Sequence, residues 1–235
     1  MTTIDSSAGT TGPTVARSRP DAQTVRRLTG GIALIAFSAL LVPQALIDPA
    51  AGGSGATMFE AATDHRAALL GSAALLVVSG LLTVPAAMAV LHQARDRGAA
   101  LANAGAAAAV LGGFGHVGIG FFYVMSAALP GGDRAEMTGY VDRLNESTAL
   151  AVMAFPLITC FAVGVLLLPW AAFRAGLVGR WGPAVATITV VLHFATPPEL
   201  EQVVSPVALT LLTAVFAHLG SRVLRMTDRE WVAAA

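Results

Sequence analysis

Apolar residues fill six intervals of the chain, at about 28–47, 67–91, 99–129, 148–173, 181–197 and 203–224, with almost no charge inside them. A helix of about 20 apolar residues crosses the roughly 30 Å hydrocarbon core of a bilayer. The pattern therefore predicts an all-α fold: a polytopic transmembrane helical bundle of about six spans, occupying residues 26–226. The fifth interval is the shortest and carries Thr187, Thr189, His193 and Thr196, so it is expected to face other helices and not lipid. Residues 1–25 are rich in Thr, Ser, Gly, Pro and Asp without an apolar period, which predicts a disordered cytoplasmic tail. Residues 227–235 read as a short cytoplasmic tail. Pro43, Pro85 and Pro156 fall inside spans and are expected to kink them, the freed carbonyls being satisfied by neighbouring helices or by Ser and Thr side chains.

The charges between the spans orient the bundle. Eleven arginines and five acids lie before the first span, in the second and fourth loops and after the sixth span; the other three loops hold three arginines against nine acids. The arginine-rich set faces the cytoplasm by the positive-inside rule, giving an N-in/C-in topology in the plasma membrane. The helix dipole favours part of this distribution, but Arg26, Arg27 and Arg180 stand at helix N-termini, where the dipole disfavours them. Membrane topology accounts for those three. Trp170 and Trp181, beside Arg174 and Arg180, fit an inner aromatic anchor. Arg26 and Arg27 before an apolar run also suit a secretory signal, but the run is long enough to span and no clean small-residue cleavage site follows. A retained helix is the reading preferred.

Composition agrees and removes several chemistries. The chain is 55% hydrophobic and 12% charged, against about 25% charged residues in a soluble domain. Net charge is zero, so nothing suggests nucleic acid. Cys160 is the single cysteine, which excludes an internal disulfide and a cysteine-based zinc or iron–sulfur site. Lysine is absent, and with it any Schiff-base or P-loop lysine.

The polar residues that remain are few. The third span contains Gly112–Tyr123, GGFGHVGIGFFY, whose glycines let a neighbouring backbone come close. His116 and Tyr123 are two turns apart on one face of it. His116 sits near midspan, where it is either a neutral imidazole bonded to another helix or a group that meets ligand, substrate or proton. Thr57–Glu60 and Thr196–Glu199 both fit a helix-capping box. Glu60 and Asp64 then form an i,i+4 pair of like charge, relieved by solvent, a cation or a shared proton; in the last case one carboxyl serves as a general acid. Asp64, His65, His193 and Glu201 belong to one level near the outer face, yet no metal-ligand spacing supports a metal site. His116 and His193 differ in depth by about 13 Å, too far to sandwich one haem iron. His92 and His218 lie near the inner surface, where solvation is the plain reading. No cofactor is expected.

The stretches LLTVPAAMAVLHQARDRG, AALANAGAAAAVLGGFG and LLLPWAAFRAGLVGRWGP resemble an Ala- and Leu-rich group of six-span membrane proteins familiar in actinobacteria, a group with no agreed activity to carry over. In size and span number alone the chain is similar to the small integral-membrane terpene cyclases. That likeness implies acid-initiated cyclisation of a lipophilic, prenylated substrate, with no motif to transfer residue by residue. Glu60 or Asp64 would be the proton donor. Phe121, Phe122, Tyr123 and Phe194 would stabilise positive charge through their π faces, and His116, His193 and Glu201 would complete the substrate pocket in the extracytoplasmic half. Two other classes stay open: a small-solute or proton-coupled transporter along His116, Tyr123, Thr189, His193 and Glu201, and a non-catalytic membrane accessory protein. Expected partners are membrane lipids and a lipophilic small molecule. Reporter fusions to the two chain ends should both read cytoplasmic; ends on opposite faces would contradict the charge argument.

Overall fold

The computed structural model describes residues 21–50 and 53–233, except the side chains of Phe194, Pro198, Glu199 and Glu201. The predicted tail therefore lies outside the described residues as far as residue 20. Among the described residues all regular structure is helical. Five helices are long and apolar enough to cross a membrane: α1 (Ala22–Ile47), α3 (Arg66–Gln93), α4 (Ala99–Ser126), α6 (Thr148–Arg174) and α8 (Pro198–Arg225). The protein is a multi-pass helical membrane protein. α2 (Gly55–Asp64), α5 (Arg134–Asn145) and α9 (Asp228–Ala233) lie in the intervals that the apolar pattern left as loops and tail, and α7 (Trp181–Ala195) completes the order.

α7 departs from the expected fifth span. It has 15 residues, about 22 Å of helix against a core of about 30 Å. It stops at Ala195 because Thr196 precedes the Pro197-Pro198 pair and is pushed into extended backbone, with ψ of 126°. α6 ends by a different device. Gly176 takes the left-handed conformation at φ 76°, its N–H bonds the Phe173 carbonyl, and the Leu177 N–H bonds the Ala172 carbonyl at 2.8 Å. This is a glycine-terminated helix end with an apolar residue, Leu177, tucked behind it.

α1 packs on α3 and α8, α3 on α4, α4 on α6, α6 on α7 and α7 on α8, so six rods close a ring in chain order. Neighbouring rods run antiparallel. Gly30 of α1 meets Ala89 near the end of α3, while Gly71 near the start of α3 meets Ile47 at the end of α1. Thr24 and Arg27 at the start of α1 donate to Asp228, just past α8, at 2.7 and 3.0 Å. These bonds, Thr24 first, hold the Asp228 carboxyl below its ordinary range. Both described chain ends thus stand at one end of the ring, the terminal end. α9 is fixed there by Trp231, buried and stacked on His92 at 4.2 Å, with the Trp231 carbonyl 3.0 Å from His92 Nε2. His218 is instead edge-on to Trp181, so His92 and His218 have separate partners.

The seams between rods are made of small residues. Without a hydrophobic drive between helices in lipid, association rests on close van der Waals packing. Gly112 of α4 faces the backbone of Phe161 on α6, Gly164 of α6 faces Ala109, and Gly80 of α3 faces the carbonyl of Gly113. In the terminal half the interior is filled: Phe37 and Phe216 meet edge to face at 4.7 Å, among Leu34, Val90, Leu168 and Leu219. Hydroxyls inside bond backbone. Ser79 donates to the Phe37 carbonyl at 2.7 Å and Thr213 to the Ser38 carbonyl at 3.0 Å, next to the Ala39 carbonyl that Pro43 frees. Large apolar side chains cover the outside, among them Ile32, Leu81, Phe114, Phe155, Val191 and Val207.

Gly112→Ala is expected to destabilise the bundle by roughly 1–3 kcal/mol through overpacking against Phe161. Gly118, whose added Cβ would meet nothing within 4 Å, should tolerate alanine or gain about 0.5–1 kcal/mol of helix propensity. Thermal unfolding of both variants in detergent checks the pair; equal behaviour would refute the seam.

Candidate functional site

Beyond the packed half the ring encloses a cavity of 610 Å³. Ligand sites in proteins commonly span about 300–1,000 Å³. Its walls come from all six rods. Apolar positions such as Leu41, Leu76, Ile158 and Val190 alternate with Gln44, Asp48, His116, Tyr123, Thr189, His193, Gln202 and Ser205. Gly112 and Gly115 leave space on the α4 wall, so the glycines that seat α4 against α6 also shape the chamber.

The end of the cavity away from the chain termini is organised around Asp48. The Tyr123 hydroxyl donates to its Oδ2 at 2.9 Å, Gln44 Nε2 donates to the same oxygen at 3.0 Å, and the Ala50 N–H donates to Oδ1 at 3.0 Å. Gln44 also donates to Ser72 on α3 at 3.0 Å. The carboxylate therefore ties the end of α1 to α4 and, through Gln44, to α3.

A cap closes this end. Asn145 Nδ2 donates to the Gly53 carbonyl and the Gly55 N–H donates to Asp142, each at 2.7 Å. Gly55 lies against the Thr138 carbonyl, an approach open to a residue without Cβ. Beneath it Met58, Phe59, Ala61, Leu129 and Val141 form a second apolar cluster, with Phe122, Tyr123 and Met137 packed on it. Ala50 and Gly53, from the segment leading into α2, line the cavity. The roof is thus part of a braced structure.

His116 lies deeper. Its ring is 4.0 Å from Phe161, tilted at 49°, and its Nδ1 is shielded from solvent without a hydrogen-bond partner. The bland expectation, an imidazole bonded to a neighbouring helix, is not what Nδ1 does. His193 faces the same cavity.

Of the residues expected at the site, the structure brings His116, Tyr123 and His193 together around this chamber. Glu60 and Asp64 are elsewhere. Both are exposed on α2, and Glu60 accepts from Arg134 of α5 at 2.8 Å, with that guanidinium 5.6 Å from the Phe59 ring. The like-charge pair is relieved by an arginine and by solvent. Nor is Glu60 a capping residue: Ser54 caps α2, accepting from the Thr57 N–H at 3.2 Å. The true cap precedes the Thr57–Glu60 box by three residues. At α8 the cap position is Pro197, one residue beyond the expected Thr196, whose hydroxyl donates to the Leu192 carbonyl. Phe121 is exposed at 58% on the outside of α4, and Phe122 packs under the cap. The side chains of Phe194, Glu199 and Glu201 lie outside the described residues. Among the described residues no group of three His, Cys, Asp or Glu converges to hold a metal.

Sequence reasoning missed Asp48 and Gln44. Their signal was present: an amide inside a span and a carboxylate one turn later, at i and i+4, are on one face. Asp48 drew notice only as a loop acid. Comparison with family models, curated proteins and solved structures gives no match. The reading rests on geometry. Tyr123→Phe is expected to cost about 1.5–3 kcal/mol, as for a hydrogen bond to a charged group; unchanged unfolding in detergent would show that the bond to Asp48 does not hold α1 to α4.

Proposed function

We propose that this is a six-pass plasma-membrane protein with both ends in the cytoplasm, whose outer-half cavity binds a lipophilic small molecule bearing one polar end. The single observation that carries the reading is a sizeable chamber with polar groups set in apolar walls, inside an otherwise packed bundle. Intramembrane polar residues are expensive and mark ligand sites by default; here they collect around one space, and His116, whose Nδ1 has no hydrogen-bond partner, is among its lining residues. The two chain ends at one end of the ring, together with the arginines there, support an even number of crossings with a cytoplasmic terminal end.

Access from the bilayer fits the packing. The outer side carries the braced cap of Gly53 and Gly55 on α5, whereas the outer half of α6 carries Val152, Met153 and Phe155 at 67–72% exposure, and α7 is short. Transport needs a continuation toward the other face, and the chamber ends on the packed layer of Phe37, Leu168 and Phe216. Binding is therefore favoured over passage. An enzyme cyclising a prenylated substrate would use this same chamber, with the aromatic faces of Tyr123 and Phe161 beside the chain; its proton donor would come from Asp48, His116 or His193, since Glu60 and Asp64 stand on the cap.

Ala162 and Ala45 line the chamber from α6 and α1. Filling it by Ala162→Phe or Ala45→Phe should remove small molecules that copurify with the wild-type protein in detergent, read by mass spectrometry of extracts from equal amounts of folded protein. Identical extracts from wild type and both variants would refute the reading.

A further inference from the structure

The charge inventory of the chamber says which polar end it takes, an inference that rests on the binding reading above. Among the described side chains Asp48 is the one lining residue with a formal charge and no arginine lines the space; the other described titratable groups there are His116, Tyr123 and His193. The arginines of the cap end are placed elsewhere. Arg134 pairs with Glu60, Arg66 borders a separate pocket with Thr63 and Pro130, and Arg143 is exposed in the last turn of α5. The partners of Asp48 are a phenol, an amide and a backbone N–H. Neutral donors fix the carboxylate in place and solvate it, but they leave its charge uncompensated.

We propose that the chamber selects amphiphiles with a cationic head, an alkylamine or alkylammonium, seated at Asp48 with the chain running inward along α4 toward His116. A half-buried charge among partly apolar walls acts more strongly on an entering ion than one in open water, because screening is reduced. It repels a carboxylate or phosphate head by the same measure. Tyr123, already at the carboxylate, and Phe161 supply aromatic faces of the kind that hold ammonium groups. The ordering of the walls sets the direction. Asp48, Ala50 and Gly53 stand at the roof, Tyr123 is at the level of Asp48, and His116 lies two turns of α4 deeper, about 10 Å. Leu76, Val165 and Leu212 complete the apolar lining. A cationic head at the roof and a chain below it follow from the position of the charge.

The test uses the full-length protein in neutral maltoside detergent near neutral pH, with four probes that share one tail: decylamine, decyltrimethylammonium, decanol and decanoate. The two cations are expected to bind at least about tenfold tighter than decanol, with decanoate weakest, as the charge attraction common to both heads provides; decylamine alone adds an N–H bond to the carboxylate. Asp48→Asn should bring the cations down to the alcohol, and Asp48→Glu should keep the preference. Cations no tighter than decanol, decanoate as tight as decylamine, or an unchanged preference in folded Asp48→Asn would each overturn charge selection while leaving the cavity reading standing. Absence of binding by all four probes would overturn the cavity reading, and this proposal with it. Where Asp48→Asn does not fold, the head-group series on the wild-type chain decides alone.

Discussion

Close approach of helix backbones through glycine and alanine is the interaction on which the rest of this structure depends. Leucine gains nothing by leaving lipid for another leucine, so the rods are held by contact distance and by the few polar bonds between them. Gly112 against Phe161, Gly164 against Ala109, Gly80 against Gly113 and Gly31 against Gly220 put backbone beside backbone. The same absence of side chains has a second consequence. On the α4 wall, Gly112 and Gly115 leave room that the chamber occupies. Adhesion and cavity are two effects of one choice of residue.

The bundle is divided along its axis. In the terminal half, Phe37, Phe216, Leu168 and Leu219 fill the centre, and the ends are clasped by Arg27, Thr24 and Asp228. In the cap half the centre is open and polar, and the closure is transferred to α2 and α5 above it. α7 belongs to this division. Being short, it leaves its neighbours α6 and α8 with apolar faces on the outside, where Phe155, Val203 and Val207 meet the lipid phase.

Asp48 gives the chamber its chemistry. Held by Tyr123, Gln44 and the Ala50 N–H, it serves as a structural knot between three helices and as the local source of charge. Such double use follows from the cost of burying a polar group: a carboxylate at the end of an apolar helix persists when donors satisfy it, and those donors fix its position. His116 differs, since its Nδ1 has no donor or acceptor from the protein. The two groups mark the outer and inner levels of one space.

The sequence by itself determined that the chain is helical and crosses a membrane repeatedly, because a long uncharged run in lipid satisfies its backbone only as a helix. It also located His116, Tyr123 and His193 as polar positions inside spans, since a residue of that kind is conspicuous against an apolar background. It placed a helix start at the Thr57–Glu60 box without marking α2 as a separate helix, and it did not reveal α5; both are short and pack on one another. Nor did it separate the acids. Glu60, Asp64 and Asp48 look alike as loop carboxylates along the chain, and only packing decides that Asp48 turns inward to Tyr123, 75 residues away, while Glu60 turns outward to Arg134. Hydropathy is a property of consecutive residues. Which side chains share a cavity depends on contacts between distant ones, and those were fixed only when the ring closed.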